Sequence, residues 1–288
     1  MLHLVPLLMG WWLDPKYHLE NKPQMLDALE FARPRCPPPG LVIDVGANGG
    51  RETEQARHAG YEVVSVECLT REYMKLQERW KDERRITLLN GCASDSLTLQ
   101  RFSEAGAGSS LHPEAVSRDE ELKNFRKNKE RVTNVITFPL DPLIESREQQ
   151  PVCVVKIDTQ GHEISVMRGV ERTIRKHKPV VIYELDYRFG PQVNLTMPWM
   201  ASLGYDCAVP TPGKGPGTHC SVCNVLCMPE AAMWNYERPP RLKDASAKKG
   251  DKKAERKGGG RRLAVDGGGG GGDGGTVCAG HRWMWYAD

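Results

Sequence analysis

Leu41-Val42-Ile43-Asp44-Val45-Gly46-Ala47-Asn48-Gly49-Gly50 is the stretch that decides the fold, because an apolar run enters a glycine-rich turn. Residues 51–59 then carry a helical pattern that ends at Gly60. Glycines between a strand and a helix let the backbone approach a ligand closely, and free N–H groups at the helix start attract polar or anionic atoms. The stretch therefore predicts a ligand-binding turn, with an ordinary connecting turn as the alternative.

The same alternation of strand and helix patterns continues to about residue 228. Apolar, β-branched runs predict strands at 61–67, 86–89, 132–138, 152–158, 179–184, 205–209 and 222–228, with helices at 70–82, 163–177 and 197–203. Alternating strands and helices form parallel βαβ units, so we predict an α/β fold with a doubly wound, mostly parallel sheet. Ligands then bind at the carboxyl ends of the strands. Residues 95–130 weaken the pattern, and we interpret them as an irregular insertion over the site.

Length and composition predict one main domain with flanking segments. The chain has 288 residues, of which 39% are hydrophobic, and no stretch approaches the roughly 20 apolar residues of a membrane span. We therefore expect a soluble protein without a transmembrane segment. Residues 1–40 form an N-terminal extension, 41–236 the domain, and 237–288 a disordered tail rich in basic residues and glycine.

Most of the positive charge lies in that tail. Residues 238–262 contain 11 Lys or Arg and 3 Asp or Glu, while the whole chain has a net charge of +3. The domain is therefore mildly acidic, unlike a nucleic-acid-binding domain, whose positive charge lies on a folded face. No specific nucleic-acid partner is expected, and the oligomeric state does not follow from the sequence.

Nine cysteines, an odd number, bear on the compartment and on metal binding. Cys68, Cys92 and Cys153 lie within or beside apolar runs, where cysteine usually acts as a small hydrophobic residue. This usage predicts a reducing compartment and a cytoplasmic location, while the short apolar start at residues 1–12 leaves secretory or organellar targeting open. The cysteines between 207 and 227 suggest zinc, but no second paired-cysteine motif completes a site, so no metal is expected.

A carboxylate at the end of the second predicted strand indicates what the glycine turn binds. Glu67 lies 21 positions after Gly46, and an acidic residue about 20 positions past such a turn can accept both ribose hydroxyls. A dinucleotide fingerprint would need glycine at 48 and usually glycine or alanine at 51, where the chain has Asn48 and Arg51. Asp44, two positions before Gly46, favours a cationic, aminoacyl-bearing nucleotide over a nicotinamide cofactor.

A second motif, residues 156–163 with the sequence KIDTQGHE, lies at another predicted junction of strand and helix and so on the same rim. His162 is a candidate general base because histidine has a suitable intrinsic pKa. Asp158 is a candidate to orient His162 or the substrate. The alternative is that Asp158 or Thr159 caps the helix while His162 is merely exposed.

These motifs, in this order, resemble those of the FkbM family of S-adenosylmethionine-dependent methyltransferases. The matching segments are residues 42–49, the pair Val66-Glu67, residues 156–163 through Gly169, residues 182–184 and the pair Gly204-Tyr205. The resemblance implies a class I methyltransferase architecture, with the cofactor held by Asp44, Gly46, Asn48, Gly49 and Glu67 and with Ala93 near adenine. The family usually has a valine-glutamate pair where this chain has Thr159-Gln160, which removes one carboxylate from the rim.

We therefore expect a methyltransferase with S-adenosylmethionine as its cofactor, acting on a hydroxyl of a small molecule or glycan, as the resemblance implies. His162 and Asp158 are its predicted catalytic residues. Two alternatives stay open. Thr159-Gln160 motivates a non-catalytic binding module that kept the fold, and a nicotinamide-dependent oxidoreductase is disfavoured by Asn48 and Arg51.

Overall fold

The computed structural model describes residues 24–104, 109–112, 131–147, 150–186, 189, 194–210, 222–229 and 283–286. The strands are β1 (Leu41–Val45), β2 (Glu62–Glu67), β3 (Ile86–Asn90), β4 (Cys92–Ala93), β5 (Thr98–Glu104), β6 (Arg131–Phe138), β7 (Val152–Ile157), β8 (Val180–Asp186), β9 (Tyr205–Pro210), β10 (Val222–Pro229) and β11 (Trp283–Tyr286). The helices are α1 (Met25–Ala32), α2 (Arg51–His58), α3 (Thr70–Arg79), α4 (Asp141–Glu145), α5 (Glu163–Gly169), α6 (Glu171–His177) and α7 (Thr196–Ser202). Within these ranges no helix is long and apolar enough to cross a membrane.

Eight strands form the central sheet, in the order β11-β9-β10-β8-β7-β1-β2-β3. β1 pairs in parallel with β2 and β7, and parallel pairing continues to β3 on one side and β8 on the other. β10 runs antiparallel between β8 and β9. The predicted α/β fold with a mostly parallel sheet is confirmed. Because the strand order reverses between β1 and β7, a crevice opens beyond the carboxyl ends of these two strands.

The central strands are buried along their whole length, which explains their continuous apolar runs. Every residue of β1 and of β7 is buried. Side chains alternate between two cores, so that Ile43 packs with Met167 on one face and Val42 packs with Leu29 on the other. Helices therefore cover both faces of the sheet, as the doubly wound prediction requires.

The helix predicted over residues 163–177 is two helices, α5 and α6, which meet at Val170. The carboxylate of Asp141 accepts hydrogen bonds of 2.9 Å from the backbone N–H groups of Arg172 and Thr173. A carboxylate from α4 thus binds N–H groups of the first turn of α6, which lets a new helix begin there.

The domain begins earlier than the predicted boundary at residue 41. Met25, Ala28 and Leu29 of α1 are buried and share a core with Val154 of β7 and Val180 of β8. Residues 24–32 are therefore part of the packed domain. Residues 1–23 of the predicted extension lie outside the described residues.

A second, three-stranded sheet has the order β4-β6-β5, and part of it comes from the segment interpreted as irregular. β5 pairs antiparallel with β6, with Thr98 opposite Thr137. Leu99 and Phe102 lie on opposite faces of β5, because they are three positions apart; Leu99 is 68% exposed and Phe102 is buried. Since each face carries an apolar residue, the strand lacks a regular alternation of polar and apolar residues. Residues 113–130 of that segment lie outside the described part of the chain.

Six cysteines form three disulfides, which the sequence analysis did not predict. Cys36 is bonded to Cys153, Cys68 to Cys92, and Cys207 to Cys227. The prediction that Cys68, Cys92 and Cys153 act as free small hydrophobic residues was wrong, because pairing depends on which strand ends meet in space. Disulfides persist in oxidising compartments, so the three bonds oppose the expected reducing, cytoplasmic environment.

The predicted disordered tail contains one described element. β11 pairs antiparallel with β9 at the edge of the central sheet. Residues 283–286 therefore form a strand where the sequence predicted disorder. The rest of residues 237–288 lies outside the described ranges.

Candidate functional site

A cavity of about 280 Å³ opens at the carboxyl ends of β1, β2, β7 and β8, where the strand order predicts a ligand site. Its volume is close to the lower end of the range of roughly 300–1,000 Å³ that is typical of small-molecule pockets. The residues that line it are Val45, Gly46, Asn48, Val66, Glu67, Cys68, Leu69, Glu72, Gly91, Cys92, Ala93, Phe102, Ser109, Leu111, Asp158, Thr159, Gln160, His162 and Glu184. Six of the eight predicted site residues are among them.

The glycine turn after β1 contains three residues with positive φ: Gly46, Asn48 and Gly50. Gly46 has φ +75°, and a Cβ at this position would collide with the carbonyl oxygen of Asp158, so only glycine fits. The Gly46 N–H donates to Val66 O (3.0 Å), which ties the turn to β2. Asn48 has φ +45°, a conformation that asparagine tolerates better than most residues. The turn therefore presents its backbone at the cavity wall, as predicted.

Glu67, the last residue of β2, is held by backbone groups on both sides. Its Oε2 accepts from the N–H of Asn48 and its Oε1 from the N–H of Leu69, both at 2.7 Å. Burial raises the pKa of Glu67, against the lowering effect of these hydrogen bonds. Each carboxylate oxygen can accept a further hydrogen bond, and the side chain lines the cavity, which suits the binding of ribose hydroxyls.

Asp44 and Gly49 do not line the cavity, although both were predicted to bind the cofactor. Asp44 is fully buried; its Oδ2 accepts from the Thr53 hydroxyl at 2.6 Å, and its Oδ1 lies 3.1 Å from the Lys156 Nζ. The carbonyl oxygen of Gly49 accepts from Arg79 (3.1 Å). In the structure these two residues make their contacts outside the cavity, so neither lines the space predicted for the cofactor.

Lys156 connects the two motifs, and the sequence analysis gave it no role. Its buried Nζ donates to Gly46 O at 2.7 Å and lies 3.1 Å from Asp44 Oδ1 and 4.0 Å from Asp158 Oδ2. Burial lowers the pKa of Lys156, but attraction to Asp44 and Asp158 outweighs it, so the pKa is raised and the ammonium stays charged. A lysine inside an otherwise apolar strand was the signal that could have revealed it.

Glu163, the first residue of α5, binds the turn of the second motif, while neither Asp158 nor Thr159 takes the N-cap position of α5, which is His162. Its Oε1 accepts from the N–H and the hydroxyl of Thr159 (3.0 and 3.1 Å) and from the N–H of Gly161 (3.1 Å). Burial raises the pKa of Glu163 to about 7, against the lowering effect of the backbone hydrogen bonds. The side chain of Asp158 is 40% exposed and lines the cavity, as does Glu184.

His162 lines the cavity but is 5% exposed, and both of its ring nitrogens have partners. Nε2 is 2.9 Å from the hydroxyl of Ser94, and Nδ1 is 3.0 Å from Nε2 of His112. Burial, and next the nearby His112, lower the pKa of His162 to about 4. The geometry thus opposes the predicted role of general base, because a ring with so low a pKa is a weak base. His112 carried no sequence signal, since it falls in the segment interpreted as irregular.

The cavity is lined by both acidic and apolar side chains. Its carboxylates are Glu67, Glu72, Asp158 and Glu184, and no lysine or arginine is found among the described residues that line it. Its apolar side chains include Leu69, Ala93, Phe102 and Leu111. A ligand with a cationic centre and an aromatic ring suits such a lining, and S-adenosylmethionine, which carries a sulfonium and an adenine, has these features.

Solved structures with a similar chain path include methyltransferases. The FkbM methyltransferase of Methylobacillus flagellatus KT is 16% identical, with a TM-score of 0.44 over 69% of this chain and 47% of that chain. A putative methyltransferase of Streptococcus mutans in complex with SAH is 9% identical, with a TM-score of 0.40 over 66% of this chain and 88% of that chain. This chain thus spans about half the length of the first of these structures. No curated protein matches the sequence.

The family model described as the methyltransferase FkbM domain matches residues 44–207, more than half of the chain. This match begins at the glycine turn and includes Glu67, the second motif and the strands that carry them. The matched residues include the central strands of the α/β fold, and S-adenosylmethionine is the cofactor expected for the family. The chain belongs to the FkbM family of S-adenosylmethionine-dependent methyltransferases.

Proposed function

We propose that this protein transfers a methyl group from S-adenosylmethionine to a hydroxyl oxygen of a small molecule or glycan. The observation that carries the proposal is that one cavity is lined both by Glu67, at the end of β2, and by Asp158, after the end of β7. The first carboxylate suits a ribose and the second suits an acceptor. Both belong to the segment that matches the family model.

The residues that would hold the cofactor lie at the glycine turn, at the end of β2 and among the apolar side chains of the cavity. Glu67 would accept hydrogen bonds from the ribose hydroxyls, and Leu69, Ala93 and Phe102 would pack against adenine. Gly46 lets the backbone approach the amino acid part of the cofactor closely. When bound, S-adenosylmethionine supplies a methyl group activated by a positively charged sulfur.

Asp158 is the proposed proton acceptor. An alcohol oxygen loses its proton as its new bond to carbon forms, so a carboxylate within hydrogen-bond reach assists the transfer. Lys156 and Gln160 hold the side chain of Asp158 from two sides, at 4.0 and 3.1 Å. His162, neutral and bonded to Ser94 and His112, stiffens the wall beside the acceptor. Most of the rate enhancement then comes from proximity and orientation.

The proposal is tested first by binding and then by turnover. Calorimetric titration of the full chain with S-adenosylmethionine, S-adenosylhomocysteine and NAD should show micromolar binding of the two adenosyl ligands and none of NAD. A panel of hydroxyl-bearing acceptors should then give S-adenosylhomocysteine. Binding of NAD alone would overturn the cofactor assignment. Cofactor binding without turnover on any acceptor would favour the non-catalytic binding module, the alternative suggested by Gln160 at a position where the family usually has glutamate.

A further inference from the structure

Gln160 lies at the centre of the second motif in an unusual backbone conformation. Its φ is +54°, in the left-handed region that residues other than glycine rarely adopt. Its carbonyl oxygen accepts from the hydroxyl of Ser110 (2.7 Å), and the N–H groups of both neighbours, Thr159 and Gly161, donate to Glu163. The surrounding structure thus holds this residue in a conformation that costs free energy, a pattern that is common at functional sites.

The side chain of Gln160 joins two carboxylates that come from different strands. Its Nε2 donates to Asp158 Oδ1 at 3.1 Å and to Glu184 Oε2 at 2.5 Å. An amide nitrogen has two N–H groups, and here both serve carboxylate oxygens. Two neighbouring carboxylates repel each other when both are charged, and a hydrogen-bond donor placed between them offsets that repulsion. A neutral amide supplies that donor and adds no negative charge of its own.

We propose that Gln160 is a positioning residue of the methyl transfer: its amide holds Asp158 and Glu184 as two hydrogen-bond acceptors at the wall of the cavity that takes the methyl acceptor. The proposal rests on the function proposed above. It assigns a role to the residue that stands where a glutamate is usual in the family. Gln160 then has a role in the methyl transfer, so its presence in place of glutamate does not by itself indicate a non-catalytic module.

The charges around Gln160 make the exchange to glutamate a sensitive test. The titratable and charged groups near the bridge are Asp44 on β1, Glu52 on α2, Lys156 on β7, Asp158 and His162 in the turn, Glu163 on α5 and Glu184 on β8. Lys156 is the cation of this group, and Asp44 already neutralises it at 3.1 Å. In Gln160→Glu a third carboxylate joins Asp158 and Glu184, and the group relieves the repulsion by binding a proton.

The first experiment measures thermal unfolding between pH 5 and pH 8 for the wild type, Gln160→Glu and the control Gln77→Glu. Gln77 is exposed on α3, so its exchange adds the same charge away from the cavity. A carboxyl group with a raised pKa in the folded state stabilises the protein at low pH, and that stability is lost as pH rises. The Tm of Gln160→Glu should therefore match the wild type at pH 5 and fall roughly 3 °C below it at pH 8. Gln77→Glu should follow the wild type throughout.

The second experiment measures the pH dependence of kcat/KM, which a purely structural role would not move. In Gln160→Glu the acid limb should shift to higher pH by about one unit, because proton uptake removes an ionised acceptor. Gln160→Met, which lacks the amide, should lower kcat at least tenfold while cofactor affinity changes less than twofold. A Tm difference that does not vary with pH, or an acid limb that does not move, overturns the inference. If the wild type has no turnover, the proposed function fails. The pH dependence of Tm then still tests whether the Gln160 amide joins Asp158 and Glu184.

Discussion

Replacing Glu67 by alanine should weaken the binding of S-adenosylmethionine by roughly 10- to 150-fold. A hydrogen bond to a charged group contributes about 1.5–3 kcal/mol, and each 1.4 kcal/mol is a factor of ten in affinity. The lower limit corresponds to one ribose hydroxyl that loses its bond to the carboxylate. Titration calorimetry with S-adenosylmethionine measures the change directly. Glu78 provides a matched control as Glu78→Ala, because it is exposed on α3, pairs with Lys81 and does not line the cavity.

In Glu67→Ala, a loss of folding stability must be separated from a loss of contact with the cofactor. Without the carboxylate, the N–H of Leu69 loses its acceptor, and Leu69 is 5% exposed. An unsatisfied buried donor costs about 1–3 kcal/mol, which lowers Tm by roughly 2–4 °C for each kcal/mol in a domain of this size. Titration well below the measured Tm therefore compares folded proteins. Unchanged affinity in folded Glu67→Ala would remove Glu67 from the cofactor site and refute the assignment of the ribose pocket.

Three further outcomes follow from the same geometry. Asp158→Asn should lower kcat about 100-fold or more, with cofactor affinity within twofold of the wild type; a kcat within a factor of five would exclude Asp158 as the proton acceptor. The pKa of His162 is lowered to about 4 in the folded protein. The free energy of unfolding is therefore highest above pH 6.5, where the ring is neutral in both states, and it falls by roughly 3 kcal/mol as pH falls towards 4. His162→Gln should reduce that loss in urea unfolding, and an equal loss would place the titration elsewhere. Alkylation before reduction should label at most three of the nine cysteines by mass spectrometry, because six are bonded; labelling of more than three contradicts the disulfides.

The parts of the site that lie within one short segment could be predicted from the sequence. The glycine turn was recognisable because strand, glycines and helix follow each other within about 20 residues. Glu67 was recognisable because its distance from Gly46 along the chain is set by one helix and one strand. Asp158 was recognisable in the same way, since it follows an apolar strand. In each case a local pattern determines where the side chain lies.

The parts that depend on distant segments could not be predicted. His112 and His162 are 50 positions apart, and Ser94 and His162 are 68 apart, so no local pattern links them. The low pKa of His162 follows from these contacts and from burial, which the motif does not show. The disulfide between Cys36 and Cys153 joins positions 117 apart. Long-range pairing of this kind is decided by the packing of the sheet, and the chemistry of the site changes with it.

The charged groups at the carboxyl ends of the central strands explain why Asp44 lies beside the glycine turn without lining the cavity. A buried ammonium without a partner is very unfavourable, and Asp44 makes it possible for Lys156 to lie buried near the carboxyl end of β7. Lys156 in turn donates to the carbonyl of Gly46 and attracts Asp158, so one cation is shared by the cofactor turn and the proposed proton acceptor. Gln160 extends this arrangement to Glu184. The position of the cofactor turn and the orientation of the acceptor carboxylates are therefore fixed by one continuous set of contacts.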